Sequence, residues 1–139
     1  MKFKKLRADA YAPTKGHTFD AGWDLRAVED AVIAQGERRL ISTGIALDIP
    51  QGHVGMIWPR SGLAKEWGLD ILGGVIDPGY RGDVGVLVIN HGDYVKQIRR
   101  GDKVAQLVLQ EHLLCQMVEV AEFAGESSRG DDGFGSTGQ

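Results

Sequence analysis

The sequence predicts an all-β domain, a distorted jelly-roll or β-sandwich subunit with one short helix, on three observations. Apolar residues recur at intervals of two far more often than at three and four. The apolar runs are short and are broken by Gly, Pro, Asp and Asn. Glycine supplies 20 of the 139 residues without a collagen-like period, so many turns or close backbone approaches are required. A chain of this length carries one core, and no internal repeat or second domain is visible.

In chain order, the strands are expected over Lys2 to Leu6, Trp23 to Ala27, Arg38 to Ser42, Ile45 to Ile49 and His53 to Trp58. They continue over Val84 to Asn90, Tyr94 to Ile98, Lys103 to Leu109 and Met117 to Val120. Their even spacing between turn signals suits a sandwich or jelly roll. Between His53 to Trp58 and the next strands, Ser61 to Trp67 breaks the pattern. It offers an N-cap serine, helix formers and Gly68 as a stop, and predicts the helix. Gly74 to Gly82 reads as a strand, a tight Asp77-Pro78-Gly79-Tyr80 turn and a return strand. The run that follows is apolar on both faces, with Val84, Val86 and Val88 on one and Leu87 and Ile89 on the other. One face meets the core of a small sandwich; the second predicts burial against another subunit, or else a loop cover. After Phe123 only one large apolar residue remains, Phe134, so residues 1–123 form the domain and 124–139 a flexible tail.

Composition narrows the function. Hydrophobic residues make up 42% and charged residues 25%, an ordinary globular balance. The net charge of −3 disfavours general nucleic-acid binding. A lone Cys115, no membrane-length apolar run and no signal-peptide core fit a soluble, cytoplasmic protein. The four histidines are too far apart for a zinc cluster, and neither a nucleophile elbow, a P-loop nor a dinucleotide fingerprint occurs.

What remains is a set of clusters that mix glycine with carboxylate, arginine or hydroxyl. Arg129 to Gly138 frees backbone N–H groups beside an arginine and hydroxyls that suit phosphate oxygens, and Phe134 is fit to stack on a flat base; a plain tail is the bland alternative. Pro59 to Ala64 sets Arg60 and Ser61 at a helix start, either as a phosphate site or as a surface charge and a cap. Asp77 and Tyr80, beside an exposed backbone edge at Gly73 and Gly74, are either turn residues or the wall of a small-molecule pocket. Ala21 to Leu25 and Gly101 to Leu107 are weaker signals.

Taken in order, AGWDL at 21–25, PRSGLA at 59–64, GVIDPGYRG at 74–82, GDKVAQL at 101–107 and RGDDGFGSTG at 129–138 resemble the five motifs of the trimeric dUTP pyrophosphatases. The resemblance spans nearly the whole chain. It implies a jelly-roll homotrimer whose active sites are each built from three subunits, hydrolysing dUTP with Mg²⁺ to dUMP and pyrophosphate. Asp77 then matches the carboxylate that activates water, and Asp24 the acidic residue that meets the metal through water. Arg60, Ser61, Gly62 and Gln106 match phosphate contacts. The backbone of Gly74, Val75 and Ile76 matches the uracil edge, and Tyr80 the surface under deoxyribose. In the tail, Arg129 matches a γ-phosphate contact, Phe134 the uracil lid, and Gly135, Ser136 and Thr137 a phosphate cradle. Arg81 receives no role.

Two features depart from the usual pattern. Asp132 stands where glycine is common, setting a second carboxylate near the polyphosphate, so Asp132→Gly is expected to tighten binding of a non-hydrolysable dUTP analogue. Pro78-Gly79 resembles the related dCTP deaminases, which lack the glycine-rich fifth motif. That deaminase and a nucleotide-sensing trimer without turnover are the alternative readings.

Overall fold

The computed structural model describes residues 1–130. It is mostly β with one short helix, as expected. The elements in chain order are β1 (Lys2–Lys5), β2 (Gly22–Arg26), β3 (Ala31–Ile33), β4 (Arg38–Ile41), β5 (Ile45–Asp48), β6 (His53–Trp58), α1 (Ser61–Trp67), β7 (Leu69–Leu72), β8 (Val75–Ile76), β9 (Val86–Asn90), β10 (Lys96–Ile98) and β11 (Lys103–Glu111). They form four small antiparallel sheets, ordered β1-β5, β10-β3, β2-β11-β6-β8 and β4-β9-β7.

All four sheets turn apolar side chains into one core. Leu47 of β5, Ile33 of β3, Leu25 and Leu107 of the β2-β11 pair, and Ile41, Val86 and Val88 of the β4-β9 pair are buried together. Each such side chain stabilises the fold by roughly 1.5–3 kcal/mol relative to exposure. Strict alternation on β9 buries Val86, Val88 and Asn90 and leaves Leu87 and Ile89 half-buried, so the second apolar face is only partly covered within one chain. Asn90 is fully buried and fully satisfied: its amide nitrogen donates to the carbonyls of Ile33 and Tyr94, and its oxygen accepts from the Gly92 N–H.

Several expected elements shift. The strand predicted from Tyr94 begins at Lys96, because Asn90 takes the Tyr94 carbonyl and holds residues 91–94 in a turn. The strand predicted from Val84 begins at Val86; Val84 is buried but donates to the Ile45 carbonyl outside β9. The return strand of the expected hairpin does not pair with β8, since β9 lies between β4 and β7. Ser61 is not the N-cap. Arg60 takes that position with extended backbone, no side chain caps the helix, and Ser61 is the first helical residue. Gly68 does stop the helix, in the left-handed conformation that spares a Cβ penalty, with φ 68°.

Met117 to Val120 forms no strand. The β11 ladder ends at Glu111, the His112 N–H still donates to the Gly52 carbonyl, and no strand follows among the described residues. Leu113, Met117 and Phe123 are each more than nine-tenths exposed. At the other end of the chain, Arg7 pairs with Asp9 at 3.1 Å, and this partner holds the Asp9 carboxyl below its usual range. Among the described residues, no helix is long and apolar enough to cross a membrane.

Candidate active site

The first half of the site is a row across three strands. Asp24 on β2 lies opposite Gln106 on β11, which lies opposite Trp58 at the end of β6. Antiparallel partners share a face, so all three side chains point away from the core side defined by Leu25, Leu107 and Ile57. After Trp58 the chain turns through Pro59 into α1, and Arg60 folds back so that its Nε donates to Asp24 Oδ1 at 2.9 Å. Gln106 fastens this turn by donating from Nε2 to the Pro59 carbonyl at 3.0 Å.

A β-bulge completes the cluster. The register of β11 against β2 slips between Lys103 and Ala105, leaving Val104 as the extra residue. Val104 and Ala105 are therefore both buried, and Lys103 emerges on the same side as Gln106. Its Nζ reaches Asp24 Oδ2 at 2.6 Å. Asp24, with a side chain 14% exposed, thus holds two cations, and the trio keeps a net positive charge at a partly buried position.

These residues open onto a cleft of about 450 Å³ lined by Gly22, Asp24, Arg60, Ser61, Gly62 and Gln106, with Lys103 beside them. Its lip is the segment from Gly16 to Ala21, pinned at its base by main-chain bonds between Thr14 and Asp24. There the His17 N–H donates to Asp20 Oδ2 at 2.8 Å, and Lys15 lies 4.0 Å over the Trp23 ring. The four residues expected at the phosphates, Arg60, Ser61, Gly62 and Gln106, and Asp24, expected at the metal, are all in this cleft. Ser61, released from capping, faces it too. Lys103 was not among the expected residues. Its signal is the broken alternation of Lys103-Val104-Ala105-Gln106, in which two adjacent small apolar residues mark the bulge.

The second half of the site lies elsewhere. β8 is the edge strand beside β6, with Val75 opposite Met56 and Ile76 opposite Gly55. The Ile57 N–H donates to the Gly74 carbonyl at 2.7 Å, and a Cβ on Gly74 would fall within 3.0 Å of the Ile57 oxygen. By the alternation of an antiparallel ladder, Gly74 and Ile76 direct their main-chain groups at β6, while Val75 directs its N–H and C=O to the open edge. Asp77 is exposed at the tip of the turn that follows, where the Tyr80 N–H closes onto the Asp77 carbonyl at 3.2 Å. Arg81, left without a role by sequence, donates to Asp48 Oδ1 at 2.6 Å and to the Leu47 carbonyl at 3.2 Å, tying the turn to β5.

The two halves do not meet within one chain. Asp24 and β8 stand at opposite edges of the sheet ordered β2-β11-β6-β8. Three interstrand steps separate these edges by about 14 Å. Arg129 is at the exposed end of the described chain, where Ser127 Oγ accepts from the N–H groups of Arg129 and Gly130. Phe134, Gly135, Ser136 and Thr137, with Asp132, lie outside the described residues.

The donor set can be tested against Mg²⁺. Among the described residues, no group of three or more His, Cys, Asp and Glu side chains could hold a metal ion. A carboxylate offers about four lone-pair directions, and Arg60 and Lys103 occupy two of those on Asp24. The remainder can accept from metal-bound water. The residues fit a cation that arrives with phosphate and keeps its water, which is the habit of Mg²⁺.

Comparison with known proteins follows the same line. A family model described as dUTPase matches residues 8–138. The deoxyuridine 5′-triphosphate nucleotidohydrolase of Clostridium tetani is 43% identical over 141 residues, covering 100% of this chain and 97% of that protein. The solved structure of the Staphylococcus bacteriophage 80alpha dUTPase with dUpNHpp is similar at a TM-score of 0.92 and 31% identity, covering 99% of this chain and 98% of that one. A mutant dUTPase from phage phi11 of S. aureus, whose structure concerns coordination of a structural Mg(II) ion, is similar at a TM-score of 0.82 and 29% identity, covering 89% of this chain and 98% of that one.

Proposed function

The chain belongs to the dUTPase family, and from that membership we propose how its residues hydrolyse dUTP to dUMP and pyrophosphate. It is a dUTP diphosphatase. The observation that carries the mechanism is the division of the site: a cationic cleft at one sheet edge, a carboxylate and an open backbone edge at the other. The triphosphate lies in the cleft, where Arg60 and the Gly62 backbone meet its oxygens, Gln106 holds the surrounding turn and waters, and Ser61 sits near the bond to be broken. Phosphate oxygens replace Asp24 as partners of Arg60 and Lys103, and Asp24 would then hold the metal through water. Mg²⁺, when bound with the triphosphate, neutralises charge that develops on the phosphate oxygens.

Asp77 orients a water for in-line attack on the α-phosphorus. A bond forms from the water oxygen to phosphorus, the bond to the bridging oxygen breaks with pyrophosphate as leaving group, and the water proton passes to the carboxylate. Uracil presents an N3–H donor flanked by carbonyl acceptors, the complement of the outward C=O and N–H of Val75, with Gly74 and Ile76 forming the slot beside it. Tyr80 packs under deoxyribose and excludes a 2′-hydroxyl, because exclusion by clash discriminates where weak attraction does not. From the tail, Arg129 meets the γ-phosphate, Phe134 covers uracil, and Gly135, Ser136 and Thr137 cradle the phosphates.

The subunit is a jelly roll and the working enzyme a homotrimer with shared sites. Three observations support this: the separation of the two half-sites, the half-covered face of β9 and the exposed apolar residues of 113–123. A cytoplasmic setting accords with the substrate.

Pyrophosphate release in Mg²⁺, measured in parallel on dUTP, dTTP, UTP and dCTP, tests the activity. Selective turnover of dUTP is expected, and ammonia release from dCTP would point to a deaminase instead. Sharing is tested by mixing subunits carrying Asp77→Asn with subunits carrying Arg60→Ala. Each alone is inactive, and reassembled mixtures regain activity; mixtures that stay inactive while forming mixed trimers would overturn the shared site.

A further inference from the structure

The motif that carries Asp77 and Tyr80 ends at Gly82 and is followed by Asp83, and neither residue has a place in the mechanism above. Their contacts are specific. The Tyr80 hydroxyl donates to the main-chain carbonyl of Asp83 at 2.9 Å. That carbonyl also accepts from the Gly85 N–H at 2.9 Å, so both its lone pairs are engaged and its direction is set. The Asp83 carboxylate is held in turn: the Ser42 hydroxyl donates to Oδ2, and the Thr43 hydroxyl approaches Oδ1 at 3.4 Å while donating to the Val84 carbonyl at 2.7 Å. The Val84 N–H donates to the Ile45 carbonyl at 2.8 Å. Thr43 is buried, so this anchor belongs to the connection between β4 and β5 and not to a mobile surface.

Gly82 fixes the other coordinate. A Cβ on Gly82 would lie 2.7 Å from Tyr80 Cζ, so the phenol ring rests on the bare Cα of this glycine. Gly82 is not among the glycines with positive φ, so the need for it is room for the ring, not backbone freedom. The ring is half-exposed, so the contacts at its hydroxyl and at Gly82 bear directly on where it points.

We infer that Ser42, Asp83 and Gly82 are positioning residues for Tyr80, and that they set how strictly the enzyme rejects ribonucleotides. The inference rests on the reading of Tyr80 as the sugar-facing residue. A tyrosine excludes a 2′-hydroxyl only if its ring cannot retreat, and an exposed ring held by one hydroxyl has that freedom unless its acceptor is rigid. The Ser42 to Asp83 pair supplies the rigidity without touching substrate.

The test is the ratio of kcat/KM for dUTP to that for UTP, in the full-length enzyme, with thermal melting as a check of folding. Tyr80→Ala sets the scale and should lower the ratio. Ser42→Ala and Asp83→Ala free the carbonyl, and Gly82→Ala pushes the ring with the clamp left in place. Each is expected to lower the ratio by at least about tenfold, through gain of UTP turnover, with kcat on dUTP kept within about threefold. Asp83→Asn keeps an oxygen for the Ser42 hydroxyl and should restore most of the discrimination lost in Asp83→Ala. If Asp83→Ala does not fold, Ser42→Ala and Gly82→Ala decide the matter, since one loses a single hydrogen bond and the other strains no backbone dihedral. Folded Ser42→Ala and Gly82→Ala proteins with the parent ratio, beside a Tyr80→Ala protein that has lost it, would overturn the positioning role while leaving Tyr80 as the sugar reader. A Tyr80→Ala protein with the parent ratio would overturn both.

Discussion

Gly74→Ala offers a direct probe of how closely β8 must lie against β6. The new Cβ would fall inside 3.0 Å of the Ile57 carbonyl oxygen, a main-chain atom in the middle of a sheet that cannot give way. β8 must give way instead, and it is a two-residue edge strand. It therefore retreats by roughly half an ångström or more, and the Gly74 carbonyl loses its 2.7 Å bond from the Ile57 N–H. Losing one or two ladder bonds costs about 1–2 kcal/mol. At about 4 °C per kcal/mol for a chain of this length, the melting temperature falls by about 4–8 °C. Activity suffers more, because Asp77 stands three residues further on and a displacement near 1 Å costs about a hundredfold. Gly73→Ala is the control. Its φ of 59° penalises alanine by about 1 kcal/mol, yet nothing lies within 4 Å of the new Cβ, so kcat/KM should stay near the parent value. Melting curves and steady-state kinetics on dUTP check both. A Gly74→Ala enzyme with parental kcat/KM, or a Gly73→Ala enzyme equally impaired, would refute the reasoning.

Four further outcomes follow from the same geometry. Asp77→Asn should lower kcat by about 10²–10⁴-fold; because the side chain is exposed, stability should move by no more than about 0.5 kcal/mol, as read by denaturant titration. Asp24→Ala leaves Arg60 and Lys103 facing each other without their shared carboxylate and should cost about 1–3 kcal/mol in the same titration, while inorganic phosphate in the buffer recovers part of the loss. Gly22→Ala places a Cβ against the end of the Gln106 side chain and should break its bond to Pro59, raising KM for dUTP by about fivefold with the melting temperature little changed. Asp9 has its carboxyl held below the ordinary value by Arg7, so its contribution is present at neutral pH and is lost as pH falls through the depressed value. Asp9→Asn should thus be less stable than the parent at neutral pH, with the gap closing in strong acid, and also at high salt because the pair is exposed.

Much of this was legible in the sequence wherever a local rule and the fold agree. Period-two alternation locates His53–Trp58 to the residue, and glycine at 68 ends α1 as a left-handed cap. β3 and β7 escaped because they are three and four residues long and owe their order to β10 and β9, far along the chain. The expected hairpin after Gly74 failed for a related reason. A tight turn between two apolar runs is the local signature of a hairpin, but Arg81 and Asp83 tie the outgoing chain to β5 and to Ser42 before it can pair with β8. Ser61 has the composition of a cap and the position of a first helical residue, because Arg60 already carries the extended backbone that a cap requires. Lys103 was hidden by assuming strict alternation through a bulge. The candidate site residues are named by the order of five clusters, not by any one of them, and the cleft gathers those of the first, second and fourth.

The two half-sites are rigid for different reasons, and that difference bears on how the enzyme works. Asp24, Arg60, Lys103 and Gln106 form a closed set in which each charge has a partner and the turn at Pro59 is held. Such a set stays ordered without substrate, and phosphate has to compete with Asp24 for the cations. The partners gained must therefore exceed those released, which favours a triphosphate, with its greater charge and larger number of oxygens, over a single phosphate. The turn of Asp77 and Tyr80 is ordered by main-chain bonds and by anchors on β5, and leaves its carboxylate and the Val75 edge open. In the proposed function it recognises neutral groups, a base edge and a sugar face, which need a fixed shape more than a fixed charge. A charge-matched cleft and a shape-matched turn at opposite edges of one sheet act on the same nucleotide only when the turn comes from another copy of the chain. In the proposed trimer, base selection and phosphate binding are coupled by assembly itself, with no need for either half to move far within its own subunit.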